Sequence, residues 1–301
     1  METLTRIGMV GLDTSHCPAF TGILNDPDNA YHVPGGRVVG AYPGGSELFS
    51  LSRDRVDGFT RQMSDEFGVA LYDSISALVQ DVDAILLESA DGRQHLAQFK
   101  ELAVGKPVFV DKPLATTTME ARQIIELARD TETPLMSCSS LRYAKGIADL
   151  VEPDTPVISC EAFGPAVLLE DFPGLFWYGI HSAEMLFAKM GSGCRRVRCI
   201  EHPLTDIVLG EWEDGRTGVM RGTRFEGGAF GCVVHTGAGA ACGIAASTPP
   251  YYAMMLEKVM AFFQSGISPI DIRETWDIIA FLEAAEASKA QQGTVVQTVR
   301  L

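Results

Sequence analysis

The chain has 301 residues, 46% of them hydrophobic, and a formal net charge of −15 at pH 7. That length exceeds the usual single-domain range, so two domains are expected, each with enough apolar material for its own core. The acidic balance argues against nucleic acid or an anionic membrane as a partner, although backbone amides and a few local cations still suffice for a phosphate-bearing cofactor.

Apolar runs such as Val82–Leu87 are far too short to cross a bilayer, and no basic region followed by an apolar stretch opens the chain. A cytoplasmic location with no membrane partner is the resulting expectation. The seven cysteines are odd in number and form no CxxC pair, which reads as free thiols in a reducing compartment. His32, His181, His202 and His235 are too scattered to argue for zinc, so no metal site is predicted.

In chain order, Arg6–Val10 reads as a first strand ending at Gly11, and a helix follows over His16–Asn25 with Thr14 or Ser15 as its cap. Arg37–Tyr42 is a second strand, followed by a glycine-containing loop and a helix ending near Phe67. Ser74 opens a short helix, Asp83–Glu88 is a buried strand, and Gln94–Val104 is a helix stopped by Gly105. Pro107–Val110, a helix from Thr118 to about Asp130, and Pro134–Ser137 complete the series. Strands alternating with helices imply βαβ units and a parallel sheet, a Rossmann-like domain over residues 1–137.

From about Ser159 the rhythm changes. A helix around His181–Met190 precedes strand-like runs at Arg195–His202, Asp206–Trp212, Thr217–Arg224 and Ala229–His235, with hairpin turns expected at Glu213-Asp214-Gly215 and Glu226-Gly227-Gly228. Gly237–Ala246 is a further strand, and helices over Tyr252–Gln264 and Ile272–Ala290 come last. This pattern predicts an α+β domain over residues 138–301 with a mainly antiparallel, open-faced sheet. Val219, Phe230 and Val233 are expected to point outward from it, too apolar for open water, which predicts a homodimer or homotetramer.

The first βα turn reads Gly11-Leu12-Asp13-Thr14-Ser15-His16. A dinucleotide fold normally shows GxGxxG here, and only Gly11 fits. Asp13 would repel a phosphate unless it turns away, whereas Thr14 and Ser15 offer hydroxyl donors. The second strand ends without an acid to bind a ribose diol, so NADP is expected at least as readily as NAD, with Ser46 and Arg53 near a 2′-phosphate. Glu88, Asp91 and Arg93 follow a buried strand at the place where nicotinamide would lie. Lys112 directly follows an apolar strand, and a lysine there points into the crevice where open α/β sheets bind ligands.

Asp111-Lys112-Pro113 resembles the Glu-Lys-Pro signature of the glucose–fructose oxidoreductase, inositol dehydrogenase and MocA-like (Gfo/Idh/MocA) family, and Ala84–Leu87, His95 and Gly105-Lys106-Pro107-Val108 share its register. Gly179-Ile180-His181 resembles the family's DxGxH motif, with Trp177 where the aspartate usually stands, and Glu283–Ser288 resembles its last helix. The resemblance implies an NAD(P)-dependent oxidoreductase acting on a sugar, cyclitol or related polyol. In it Lys112 polarises or deprotonates the reacting hydroxyl and His181 relays the proton. It also implies that Gly11, Asp13, Thr14, Ser15, His16, Ser46, Glu88 and Lys112 line the cofactor site, and that Arg142, Tyr143, Trp177, Tyr178 and Glu184 line the substrate cleft. Asp13, His16 and Trp177 depart from the pattern and keep open a non-redox binding or regulatory module with a degenerate nucleotide site. A hydrolase or lyase that uses NAD transiently is a third reading.

Overall fold

A computed structural model describes residues 4–301. The chain divides into two compact units. One comprises the chain up to Ala115, Met119–Cys138 and Tyr252–Ile272; the other comprises Thr116–Thr118, Ser139–Tyr251 and Arg273–Leu301.

The first unit is built on β1 (Thr5–Val10), α1 (His16–Asn25), β2 (Gly36–Tyr42), α2 (Ser50–Asp65), β3 (Ala70–Leu71), α3 (Ile75–Leu78), β4 (Ala84–Leu87), α4 (His95–Leu102), β5 (Val108–Asp111), α5 (Thr118–Asp130) and β6 (Leu135–Cys138). Its six strands are all parallel in the order β3-β2-β1-β4-β5-β6. That order reverses direction between β1 and β4, where open α/β sheets bind their ligands. Every residue of β4 and β5 is buried, as expected of parallel strands covered on both faces. Helix α1 has the predicted limits. Its first amide, on His16, donates to Thr14 Oγ1 at 3.4 Å, while the Ser15 side chain makes no capping bond. Ser74 caps α3 by accepting from the Ala77 N–H at 3.2 Å. Most of helix α7 (Tyr251–Ser265) belongs to this unit, a return of the chain that local periodicity does not reveal.

The second unit contains β7 (Val157–Pro165), α6 (Gly179–Met190), β8 (Cys194–His202), β9 (Thr205–Trp212), β10 (Thr217–Thr223), β11 (Gly231–Thr236), β12 (Gly239–Ile244), α8 (Ile272–Ala290) and β13 (Val296–Gln297). The sheet order is β12-β11-β7-β10-β9-β8-β13, antiparallel except where β7 runs parallel to β10. Burial alternates along β9, with Asp206, Val208, Gly210 and Trp212 inside. A Cβ on Gly210 or Gly218 would lie 2.9 Å from the Trp212 ring, so both glycines make room for that indole. The Trp212 Nε1–H donates to the Gly191 carbonyl at 2.9 Å, which satisfies the polar end of a buried aromatic.

Two expectations about this sheet fail for one reason. Strand β7 does not stand out in the sequence, because small or ring-closed residues (Ser159, Gly164, Pro165) interrupt its apolar alternation. It inserts between β10 and β11, so Glu226-Gly227-Gly228 does not close a hairpin; the chain there passes over to the far side of β7. Phe230 is therefore not an outward strand residue. Its ring lies where a Gly164 Cβ would be and meets the His181 ring edge-on at 5.5 Å. The turn at residues 213–215 does join antiparallel β9 and β10. Val219 pairs with Leu209 and Glu161, and Val233 pairs with Glu161 and Cys242, on the face opposite the buried Met220 and Val234.

Candidate functional site

In the first unit the site gathers at the carboxyl ends of β1, β4 and β5. Gly11 has φ +87, and a Cβ there would lie 2.3–2.5 Å from Ser89, so only glycine permits the close passage of the two loops. The backbone on either side is held down: Gly11 N–H donates to Tyr42 O at 3.0 Å and Leu12 N–H to Pro43 O at 2.7 Å.

Asp13 turns away from the mouth of the turn. It is 1% exposed and accepts from the Ser52 hydroxyl at 2.5 Å and the Ala90 N–H at 2.9 Å. Burial raises its pKa, and those two bonds oppose the rise. Ser46 is equally enclosed, its hydroxyl donating to Asp91 Oδ2 at 2.6 Å. Burial pushes the Asp91 carboxyl up, but the Arg93 guanidinium and the Ser46 hydroxyl outweigh it and hold the group below its ordinary range. Asp91 also caps a 3-10 turn over Gly92–Gln94 through the Arg93 N–H. His95 is fully buried, with its two ring nitrogens 2.8 Å from Ser89 O and 3.2 Å from Leu114 O, and so ties the loop after β4 to the loop after β5. Asp13, Ser46 and Asp91 thus bind protein groups in this fold. Thr14, half-buried, and Ser15, exposed, stand at the start of α1.

Lys112 is buried, next to Asp111 in β5 and before a cis Lys112–Pro113 peptide. Burial lowers its pKa, opposed by the carboxylates of Asp111 and Glu88. For Asp111, burial acts upward, but His16 and Lys112 prevail and hold the carboxyl below the usual range. Glu88 is fully buried and its pKa is raised well above the ordinary value, first by burial and then by Asp111. Among the described residues neither Glu88 oxygen has a hydrogen-bond partner. His16 Nδ1 lies 3.0 Å from Asp111 Oδ2 and 3.8 Å from Glu88 Oε2. Sequence reasoning named His16 and Glu88 separately, and nothing in their spacing announces that they meet Asp111.

In the second unit His181 lies in the first turn of α6, with Nδ1 2.7 Å from Ser139 Oγ and its ring edge-on to Tyr178 at 5.5 Å. Trp177 is half-buried and packs against Phe172 at 5.4 Å and Tyr178 at 5.8 Å. Arg142 and Tyr143 lie in a 3-10 turn over Ser140–Tyr143. The Arg142 Nε–H donates to Glu184 Oε1 at 2.6 Å, and its Nη2 donates to Glu274. Burial raises the Glu184 pKa, and Arg142 offsets part of the rise. Arg142 and Glu184, both expected in a substrate cleft, are therefore joined to each other, with Glu274 as a third member that the sequence did not suggest.

Comparison with known proteins bears on the fold. Residues 6–138 match the profile of the Gfo/Idh/MocA oxidoreductase family, described as an NAD-binding Rossmann fold. YceM of Salmonella typhimurium, itself only provisionally named an oxidoreductase, is 28% identical over 144 residues, 48% of this chain and 41% of that protein, so the match spans less than half of the relative's length. Among solved structures, myo-inositol 2-dehydrogenase from Lactobacillus plantarum superimposes with a TM-score of 0.75 at 14% identity, covering 99% of this chain and 100% of the other. Myo-inositol dehydrogenase from Lactobacillus casei, solved with NAD(H) and myo-inositol, gives 0.74 at 14% identity over 99% and 98%. At such identities the likeness is one of fold. Among the described residues no helix is long and apolar enough to cross a membrane.

The dinucleotide implied by the family profile fits the first unit in part. Gly11 keeps the positive-φ turn, the Asp13 carboxylate is turned inward and so does not oppose a phosphate, and Thr14 and Ser15 stand at the start of a ten-residue helix.

Proposed function

We propose that the protein is an NAD(P)-dependent oxidoreductase that moves a hydride between nicotinamide and a hydroxyl-bearing carbon of a sugar, cyclitol or related polyol. The observation that carries this reading is Lys112, buried at the carboxyl end of β5 in a parallel sheet of order β3-β2-β1-β4-β5-β6. The bound dinucleotide supplies the hydride acceptor or donor. The turn after β1, with Thr14, Ser15 and the start of α1, holds its phosphates. Lys112 polarises or deprotonates the reacting hydroxyl, and His181, fixed by Ser139 and Tyr178, relays the proton. Tyr143, Trp177 and Tyr178 provide aromatic surface for a carbohydrate ring.

The cofactor is tested by melting: NADH and NADPH are each expected to raise the melting temperature, because a ligand that binds only the native state stabilises it. Ser46 is committed to Asp91, which leaves the missing strand-tip acid and the half-exposed Arg53 as the grounds for NADPH. A shift with NADPH at least as large as with NADH is expected, and no shift with either coenzyme, oxidised or reduced, at millimolar concentration would sink the redox reading.

A second reading, a binding or regulatory module with a degenerate nucleotide site, is favoured by the buried Asp13–Ser52 and Ser46–Asp91 bonds, which turn cofactor positions into internal packing. It predicts dinucleotide-free protein on gentle denaturation and mass spectrometry. We also propose a second copy of the chain as partner, packed on the sheet face that bears Ile207, Leu209, Val219 and Val233, all half-buried. Sedimentation at micromolar concentration is expected to give a dimer or tetramer, and a monodisperse monomer would contradict this.

A further inference from the structure

We propose that His16, Glu88 and Asp111 form a binding site for one divalent transition-metal ion, held by one imidazole nitrogen and two carboxylates. The three come from different elements, the start of α1 and the ends of β4 and β5, and their donor atoms all lie within 4.8 Å of one another. A tetrahedral ion with ligands at about 2.1 Å sets its donor atoms about 3.4 Å apart. The contacts of His16 Nδ1, 3.0 Å to Asp111 and 3.8 Å to Glu88, bracket that spacing.

Glu88 is the independent observation. Its carboxyl is wholly buried, directed at His16 and Asp111, and among the described residues neither oxygen has a hydrogen-bond partner. Buried acids of this kind keep a proton, pair with a charge or coordinate a metal. The His16–Asp111 contact and the neighbouring Lys112 charge leave the Glu88 oxygens without a hydrogen bond among the described residues, whereas a cation among the three would coordinate them directly. The ring of His16 is held in place by stacking on Phe20 at 5.2 Å and an edge contact with Tyr252 at 5.0 Å. Such support around a metal-binding imidazole fixes its direction.

The donor set limits the ion. Cys17, the nearby thiol, donates to Gly11 O at 3.2 Å and stands outside the triad. One nitrogen and two oxygens, with no sulfur, suit Mn²⁺, Fe²⁺, Co²⁺ or Zn²⁺ better than soft ions. The remaining coordination positions go to oxygen ligands, water included.

The site shares His16 and Glu88 with the expected cofactor site, so it is tested without coenzyme or substrate. Full-length protein, stripped with chelator and dialysed, is titrated with Zn²⁺ by calorimetry and with Co²⁺ by visible absorption. Wild type is expected to bind one ion per chain, and Co²⁺ to show ligand-field bands without a thiolate charge-transfer band. Glu88→Gln and His16→Ala are each expected to weaken binding at least about tenfold, while Lys112→Ala retains it. Retention in Lys112→Ala separates failure of the catalytic assignment from failure of the metal site. The proposal is overturned if wild type takes up neither ion, which would leave Glu88 to an ordered water, if Glu88→Gln binds as wild type does, or if a cobalt–thiolate band appears.

Discussion

Replacing Lys112 with alanine is expected to lower turnover by about a hundredfold or more while leaving dinucleotide binding little changed, since a positioned general acid–base contributes on that order. The split between turnover and coenzyme affinity is what distinguishes a catalytic from a structural lysine. Lys112 is enclosed next to Asp111 and Glu88, so a merely structural role would show as lost stability or lost coenzyme affinity in the same variant. Lys112→Arg sharpens the test. Guanidinium keeps the charge beside the two acids but does not give up a proton, so activity is not expected to recover. Normal turnover in Lys112→Ala, measured with a polyol that the wild type oxidises, would remove the proposed mechanism and leave only the fold.

Arg142→Met is expected to cost about 3–5 kcal/mol of stability, the range for removing one partner of a buried ion pair. The Arg142 side chain is 11% exposed, that of Glu184 is 4% and that of Glu274 is 16%, so two carboxylates would be left poorly solvated around an apolar side chain. Chemical denaturation with intrinsic fluorescence reads the loss directly. Adding Glu184→Gln and Glu274→Gln to the same chain is expected to recover part of it, because the uncompensated charges are then gone. A destabilisation below about 1 kcal/mol would mean that the three groups behave as a surface pair and would return Arg142 and Glu184 to the substrate cleft.

The alternation of short apolar strands with helices over the first 138 residues was legible because it is local. Burial on both faces makes β4 and most of β5 uninterrupted apolar runs, and the limits of α1 and α5 follow from their periodicity. Lys112 was legible for the same reason: its place depends only on directly following a strand. The position of β7 was not. A strand's sequence records which of its faces is buried, but not which strands lie beside it, and β7 separates two strands that follow each other in the chain. Neither were the partners of Asp13, whose carboxylate reaches Ser52 and Ala90, or the link from Arg142 to Glu274 across 132 positions. The same holds for His16 and Asp111, 95 positions apart, brought together with Glu88 because parallel strands all deliver their carboxyl ends to one edge of the sheet. Residue types and local spacing determined which elements form and which end of a strand carries polar chemistry. Only tertiary structure decided which of those polar groups bind one another and which, like Glu88, are buried without a hydrogen bond among the described residues, because those pairings depend on chain crossings that no local pattern encodes.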